Sequence, residues 1–240
     1  MNQLQAALRY LNDPLNWSRT NGIVDLLVQH LRISVVAVAV AVAIGIPVGA
    51  LLGHTGRGGA FTVALSNVSR AVPTLALLTV FAVTPIGFGP TATTIALALF
   101  ALPPVLTNTY VGFRGVDRDV VEASRAMGMR ERQVLLRAEL PLAVPLVMTG
   151  VRTAAVQVVA TATLAALVAG GGLGRIITLG FRQQDYGAVL AGALLVALLA
   201  VATEILLALV SWAVTPGPRR LPFGRVRTRR VGAGAVAAAP

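Results

Sequence analysis

Few residues in this chain could do chemistry. There is no cysteine, which removes disulfides and thiolate metal sites, and the only imidazoles are His30 and His54, so a metal centre is not expected. All twenty basic residues are arginine. Without lysine there is no P-loop lysine to hold nucleotide phosphates and no Schiff-base chemistry. No Ser/His/Asp grouping or metal-ligand spacing appears either, so neither catalysis nor a cofactor is expected. Two features remain. Arg70, Arg152 and Glu204 are ionisable groups set in apolar sequence, and "EASRAMGMRERQVLLRAELP" (122–141) is a charged, helix-prone stretch within a chain of mostly Ala, Val and Leu.

The elements that would position these residues are membrane spans. The chain is 56% hydrophobic and 12% charged, with a mean hydropathy of +0.78, whereas soluble domains are about a quarter charged. Apolar runs long enough to cross a bilayer, about 20 residues, fall at approximately 31–53, 60–84, 91–112, 142–169 and 187–213. The expected fold is therefore an all-α, polytopic bundle of about five transmembrane helices. The first residues are polar and lack the pattern of a cleaved signal peptide.

Arginine counting orients the bundle, because basic residues near span ends are held on the cytoplasmic side. With five spans, the 54–59 loop, the 113–141 segment and the tail share one side and carry thirteen Arg, against four on the other (Arg9, Arg19, Arg175, Arg182). The N-terminus is expected outside and the C-terminus in the cytoplasm. This distribution also accounts for the net charge of +11 as flanks of the lipid bilayer, and nucleic acid binding is not expected. The organisation reads as an extracytoplasmic segment 1–24, a transmembrane domain 25–213 with a loop at 114–141, and a basic, low-complexity cytoplasmic tail 214–240.

Within the spans, Pro47, Pro73, Pro103, Pro104 and Pro145 each remove a backbone donor. Gly45, Gly49 and Gly53 follow a small-xxx-small spacing that lets helices approach closely. An ionised group inside a span costs about 2.5–3.5 kcal/mol or more unless paired or hydrated. Arg152 lies eleven residues past Pro141 and Glu204 nine before Ala213, so both sit about 15 Å deep on a 1.5 Å rise. They could pair, or each could line water or snorkel separately. The run Gly170 to Gly174, with Gly171 and Gly172 at its centre, is either a flexible outer turn or a re-entrant gate needing close backbone approach.

In the charged stretch, Asp119 followed by Glu122 suggests a capping box opening a short helix. That helix would run through Ala123 and Ser124 to Met127 and stop at Gly128 in a left-handed turn. A second helix, Arg130 to Arg137, is expected to end before Pro141. The result is a compact knob of small and Met side chains. A narrow apolar face of this kind suits a protein cleft better than a lipid surface.

Glu122-Ala123-Ser124, then Gly128, then Leu140-Pro141 resembles the EAA loop of the permease subunits of binding-protein-dependent ABC importers. Ser124 stands in place of the second Ala, and Ala138 where Ile is usual. The resemblance implies a MetI-like permease whose loop docks into a groove of a cytoplasmic ABC ATPase dimer. It further implies an extracytoplasmic substrate-binding protein and a second permease subunit, the same or paralogous. The stretches Arg70-Ala-Val-Pro73-Thr-Leu, Asn108-Thr-Tyr-Val-Gly-Phe-Arg-Gly-Val-Asp117, Gly150-Val-Arg152-Thr-Ala and Gly170-Gly171-Gly172-Leu-Gly174 are similar to the osmoprotectant branch, whose substrates are glycine betaine, choline, carnitine or proline betaine. A permease for another small solute and a secondary transporter are the competing readings. The latter would usually show more spans, inverted repeats and more intramembrane acids.

Overall fold

The computed structural model describes residues 2–215, without the side chains of residues 68–70. Most of the 214–240 tail and the Arg70 guanidinium therefore lie outside the described residues. Two short helices open the chain: α1 (Gln3–Asn12), and α2 (Pro14–Ser18), which is capped by the Asp13 carboxylate with Pro14 in its first turn. The first long helix, α3 (Ile23–Thr55), starts eight residues earlier than hydropathy alone suggests, taking in Asp25, His30 and Arg32. At 1.5 Å per residue it is about 50 Å long, enough to project beyond a hydrocarbon core of about 30 Å.

Next come α4 (Gly59–Ala71) and α5 (Thr74–Ala82), then α6 (Pro90–Arg114). The charged stretch forms α7 (Arg118–Ala126), α8 (Glu131–Gln133) and a π-helical turn (Val134–Glu139) that runs without a break into α9 (Leu140–Thr161). The helix then tightens to a 3₁₀ segment (Ala162–Val168), and α10 (Gly174–Gln183) and α11 (Tyr186–Val214) complete the fold. Among the described residues, four helical stretches are long and apolar enough to cross a membrane: Pro14–Thr55, Pro90–Arg114, Glu131–Val168 and Tyr186–Val214.

The expected span at 60–84 takes a different form. It is two helices interrupted at Val72-Pro73, with Pro73 extended (φ −64°, ψ 126°) as the cap of α5, because the ring disfavours a helical conformation at the preceding residue. Neither piece alone is long enough, yet together they make a return crossing. Helices α3 and α6 are parallel: Gly45 faces Val105, Gly49 faces Leu106 and Thr109, and Gly53 faces Phe113 and Tyr110. Something must carry the chain back between them. The segment leaves beside Tyr110, whose hydroxyl approaches Gly59, and ends where Gly89 donates to the Val168 carbonyl (3.1 Å), with Leu78 and Ala82 packed against Ala96 and Val168.

The core is built from small side chains. Ala37, Ala41, Gly45, Gly49 and Gly53 are all buried and, spaced by four, form one stripe on α3 facing α6. Ile33, Leu97, Ala101, Val105, Ala154 and Val158 close the centre with α9, which runs antiparallel, Gly150 lying against Pro104 and Asn108. Large apolar residues such as Val35, Ile44, Leu51, Leu198, Ile205 and Leu209 point outward. That inversion suits a lipid solvent, where association depends on close packing rather than on hiding apolar surface.

A side-chain carbon on Gly49 would sit 2.7 Å from the Leu106 carbonyl oxygen and 2.8 Å from Thr109 Cβ. Gly49→Val should therefore push α3 off α6 and cost about 1–3 kcal/mol, read as a lower Tm in detergent. Ile44→Val, on the outward face, should leave Tm within a degree or two.

Candidate functional site

The knob is organised by a small core of its own. Val116, Val121 and Val134 are buried together with Met129 packed on them, and this sets which way α7 faces. Its cap is Asp117 rather than the expected Asp119: the Asp117 carboxylate accepts from the Asp119 amide at 3.0 Å. Asp119 instead sits in the first turn, where its charge suits the helix dipole. At the other end Gly128 adopts φ +84°. Its amide bonds to the Arg125 carbonyl (2.9 Å) and that of Met129 to the Ser124 carbonyl (3.2 Å), the paired bonds of a Schellman stop.

Packing divides the EAA-like residues. Ser124 is buried and donates its hydroxyl to the Val120 carbonyl (2.7 Å). Glu122, Ala123, Ala126 and Met127 face outward, Met127 being 76% exposed. Leu140 packs toward Phe113, Ala143 and Val147 at the root of α9. Pro141 does not end the second helix as expected. The Leu140 amide reaches five residues back to the Leu135 carbonyl, and this wide turn lets the helix run on through Pro141, which has no N–H to give, into α9.

A polar chain joins the knob to the membrane helices. Arg125 grips Glu131 with two bonds, Nε to Oε1 (2.9 Å) and Nη2 to Oε2 (3.0 Å); its hydrogen bond to Glu131 raises the guanidinium pKa above its ordinary value. Glu131 Oε2 lies 3.2 Å from His54 Nε2 near the end of α3, and His54 Nδ1 lies 2.6 Å from Oε2 of Glu139. Glu139 is 1% exposed. The sequence reading missed this chain, since His54 and Glu139 are 85 residues apart and nothing local links them.

At the opposite end of α3, the glycine run is held against that helix. Gly171 and Gly172 have φ of +82° and +80°. The Gly172 amide approaches Gln29 Oε1 (3.4 Å), and the Leu173 amide donates to His30 Nδ1 (3.2 Å). His30 is fully buried, and its Nε2 is 2.9 Å from the Val159 carbonyl. These partners assign the tautomer with the proton on Nε2. A side chain on Gly170 would collide with Thr93, and one on Gly172 would meet His30 Nδ1 at 3.0 Å. Between the two ends, Arg152 of α9 and Glu204 of α11 are brought together, Arg152 Nε donating to Glu204 Oε1 at 2.7 Å and Nη2 contacting the same oxygen. Among the described residues no three His, Asp or Glu side chains could hold a metal ion.

Residues 26–215 match the family of binding-protein-dependent transport system inner membrane components. The chain belongs to that family. It is 38% identical over 188 residues to a carnitine transport permease protein, OpuCB, of Listeria monocytogenes, covering 78% of this chain and 86% of that one. It is 33% identical over 206 residues to a choline transport system permease protein, OpuBB, of Bacillus subtilis (85% and 94%). To the osmoprotectant import permease protein OsmY of Salmonella typhimurium it is 35% identical over 190 residues (77% and 80%). Among solved structures, the inward-facing MetNI methionine ABC transporter shares the fold, with a TM-score of 0.69 at 23% identity over 81% of this chain and 96% of that one. The protein is thus a multi-pass transport component of MetI-like architecture.

For the Arg152–Glu204 pair, Arg152→Gln and Glu204→Gln should each lower Tm in lipid nanodiscs, because each leaves one charge alone inside a span. The double variant should recover part of the loss. The cycle should return a coupling energy of about 0.5–3 kcal/mol.

Proposed function

We propose that this chain is the pathway-forming permease subunit of an ATP-driven importer for an osmoprotectant such as glycine betaine, choline, carnitine or proline betaine. The observation that carries the coupling part is the exposed strip Glu122, Ala123, Ala126 and Met127 on a helix made rigid by its own core and by the Schellman stop at Gly128. A rigid projection with small side chains can enter a protein cleft and transmit its displacement. The substrate class comes from the relatives, whose names specify carnitine, choline and glycine betaine and which align over most of their length.

In this reading the knob faces the cytoplasm and docks on a dimer of ABC ATPases, and the end carrying the glycine run faces outward toward a substrate-binding protein. A second permease subunit completes the pathway. The N-terminus lies outside and the C-terminus inside. Asp119, Glu122, Ala123, Ser124, Met127, Gly128, Leu140 and Pro141 serve coupling in different ways. Glu122, Ala123 and Met127 make the contact, Ser124 and Gly128 shape the helix and its stop, Asp119 supports its first turn, and Leu140 with Pro141 anchors the knob to α9. The ATPases bias the transporter between outward-open and inward-open states through their differential grip on this surface. Gly171 and Gly172, in a turn latched to Gln29 and His30 through the Gly172 and Leu173 amides, form part of the outer gate. Pro73 with Arg70 marks the broken crossing, and the Arg152–Glu204 pair ties α9 to α11 so that they move together.

Nothing lies within 4 Å of a side chain added at Gly128, so Gly128→Asp should act only through the left-handed backbone, at about 1–2 kcal/mol. We expect normal membrane insertion with uptake and stimulated ATP hydrolysis reduced by about 5–30-fold, the factor that 1–2 kcal/mol corresponds to. Retained uptake would sink the assignment. Because the chain contains no cysteine, Ala126→Cys is a clean orientation probe. It should resist membrane-impermeant thiol reagents in intact cells and react in inverted vesicles.

A further inference from the structure

The chain Arg125, Glu131, His54, Glu139 is not part of the surface assigned to the ATPase, yet it joins the knob to α3 through polar side chains. Both His54 nitrogens face carboxylate oxygens, Nδ1 that of Glu139 at 2.6 Å and Nε2 that of Glu131 at 3.2 Å. Ionised carboxylates only accept hydrogen bonds, and a neutral imidazole has one N–H to give. Glu131 is already held twice by Arg125 and its side chain is exposed, so the contact that matters is the short one between His54 Nδ1 and Glu139. Without the ring, Glu139, 1% exposed, would lose that partner, and an unpartnered buried polar group is costly.

The other charged groups nearby come from the end of α6 and the start of α7. Arg114 and Arg118 lie against Gly56, two residues beyond His54, at 3.6 and 4.0 Å from a side-chain carbon placed there. Both are permanently charged.

We propose that His54 is a positioning residue for transport: a joint that makes the knob and α3 move as one body. The inference rests on the coupling role proposed above for the knob. Bonded through Glu131 to Arg125 in the last turn of α7 and through Glu139 to the root of α9, the ring clamps the knob at the cytoplasmic end of the bundle. Without the joint, the knob would still meet its ATPase but would swing without drawing α3 along.

The test uses the full complex, this chain with its co-purifying ATPase and binding protein, in proteoliposomes supplied with labelled glycine betaine, choline and carnitine. The quantity read is solute taken up per ATP hydrolysed. His54→Ala should retain the ATPase at wild-type stoichiometry and lower this ratio by about fivefold or more, the lower end of a typical coupling energy, whereas His54→Asn, whose amide can still donate to Glu139, should recover part of the loss. Should His54→Ala fail to insert, Glu131→Gln, at an exposed side chain, weakens the same joint and should also lower the ratio. Ratios within about twofold of wild type in His54→Ala and Glu131→Gln would overturn the proposal. A wild-type preparation carrying no ATPase would instead overturn the functional reading itself, before any variant is measured.

Discussion

Everything in this molecule depends on how closely α3 and α6 approach. In lipid, apolar surface gains little from burial against other apolar surface, so two membrane helices hold together through packing at short range. Here Gly49 and Gly53 leave no room for a side-chain carbon, and Ala37 and Ala41 are buried with them. Because the two helices are parallel as well as close, the chain must return between them. The broken pair α4 and α5 is a consequence of that topology as much as of Pro73.

The same packing explains why the polar groups are where they are. With a centre built from Ala, Gly and Val, the bundle has little interior space for charge except at its ends. At one end the glycine run uses its freedom at Gly171 and Gly172 to bring two backbone amides onto Gln29 and His30. At the other, the buried Glu139 is met by His54 arriving from α3. Among the described side chains, Arg152 and Glu204 lie between the two ends, and they answer each other across α9 and α11.

How much of this was legible depended on whether the determining contacts were local. The Gly128 stop is a property of a few consecutive residues and could be read directly, as could the four-residue spacing of Gly45, Gly49 and Gly53. Asp117 and Asp119 are equally good caps by type. The choice between them was made by the tertiary burial of Val116 and Val121, which rotates α7 into the phase that Asp117 begins. Pro141 misled for a related reason. A proline ends a helix only if the turn before it cannot adapt, and the π-helical turn over Val134–Glu139 does adapt, keeping one continuous rod from Glu131 to Val168. The partnership of His54 with Glu139 had no local signal at all.

That continuous rod bears on how motion could travel. A knob joined to the membrane domain by a flexible linker would lose displacement in the linker, whereas α8, the π-helical turn and α9 form one helical path from Glu131 to Thr161. A single rod still permits rotation about its own axis, and α7 hangs from it beyond a left-handed glycine. Two further contacts restrict that freedom. The Val116, Val121 and Val134 core fixes α7 against the rod, and the Arg125–Glu131–His54–Glu139 chain fixes both against α3. The rod and these two contacts hold α7, α9 and α3 to one another, so a push on α7 would be passed on to α3 and α9. With α6 packed on α3 through the small-residue stripe, such a push would carry the centre of the bundle with it.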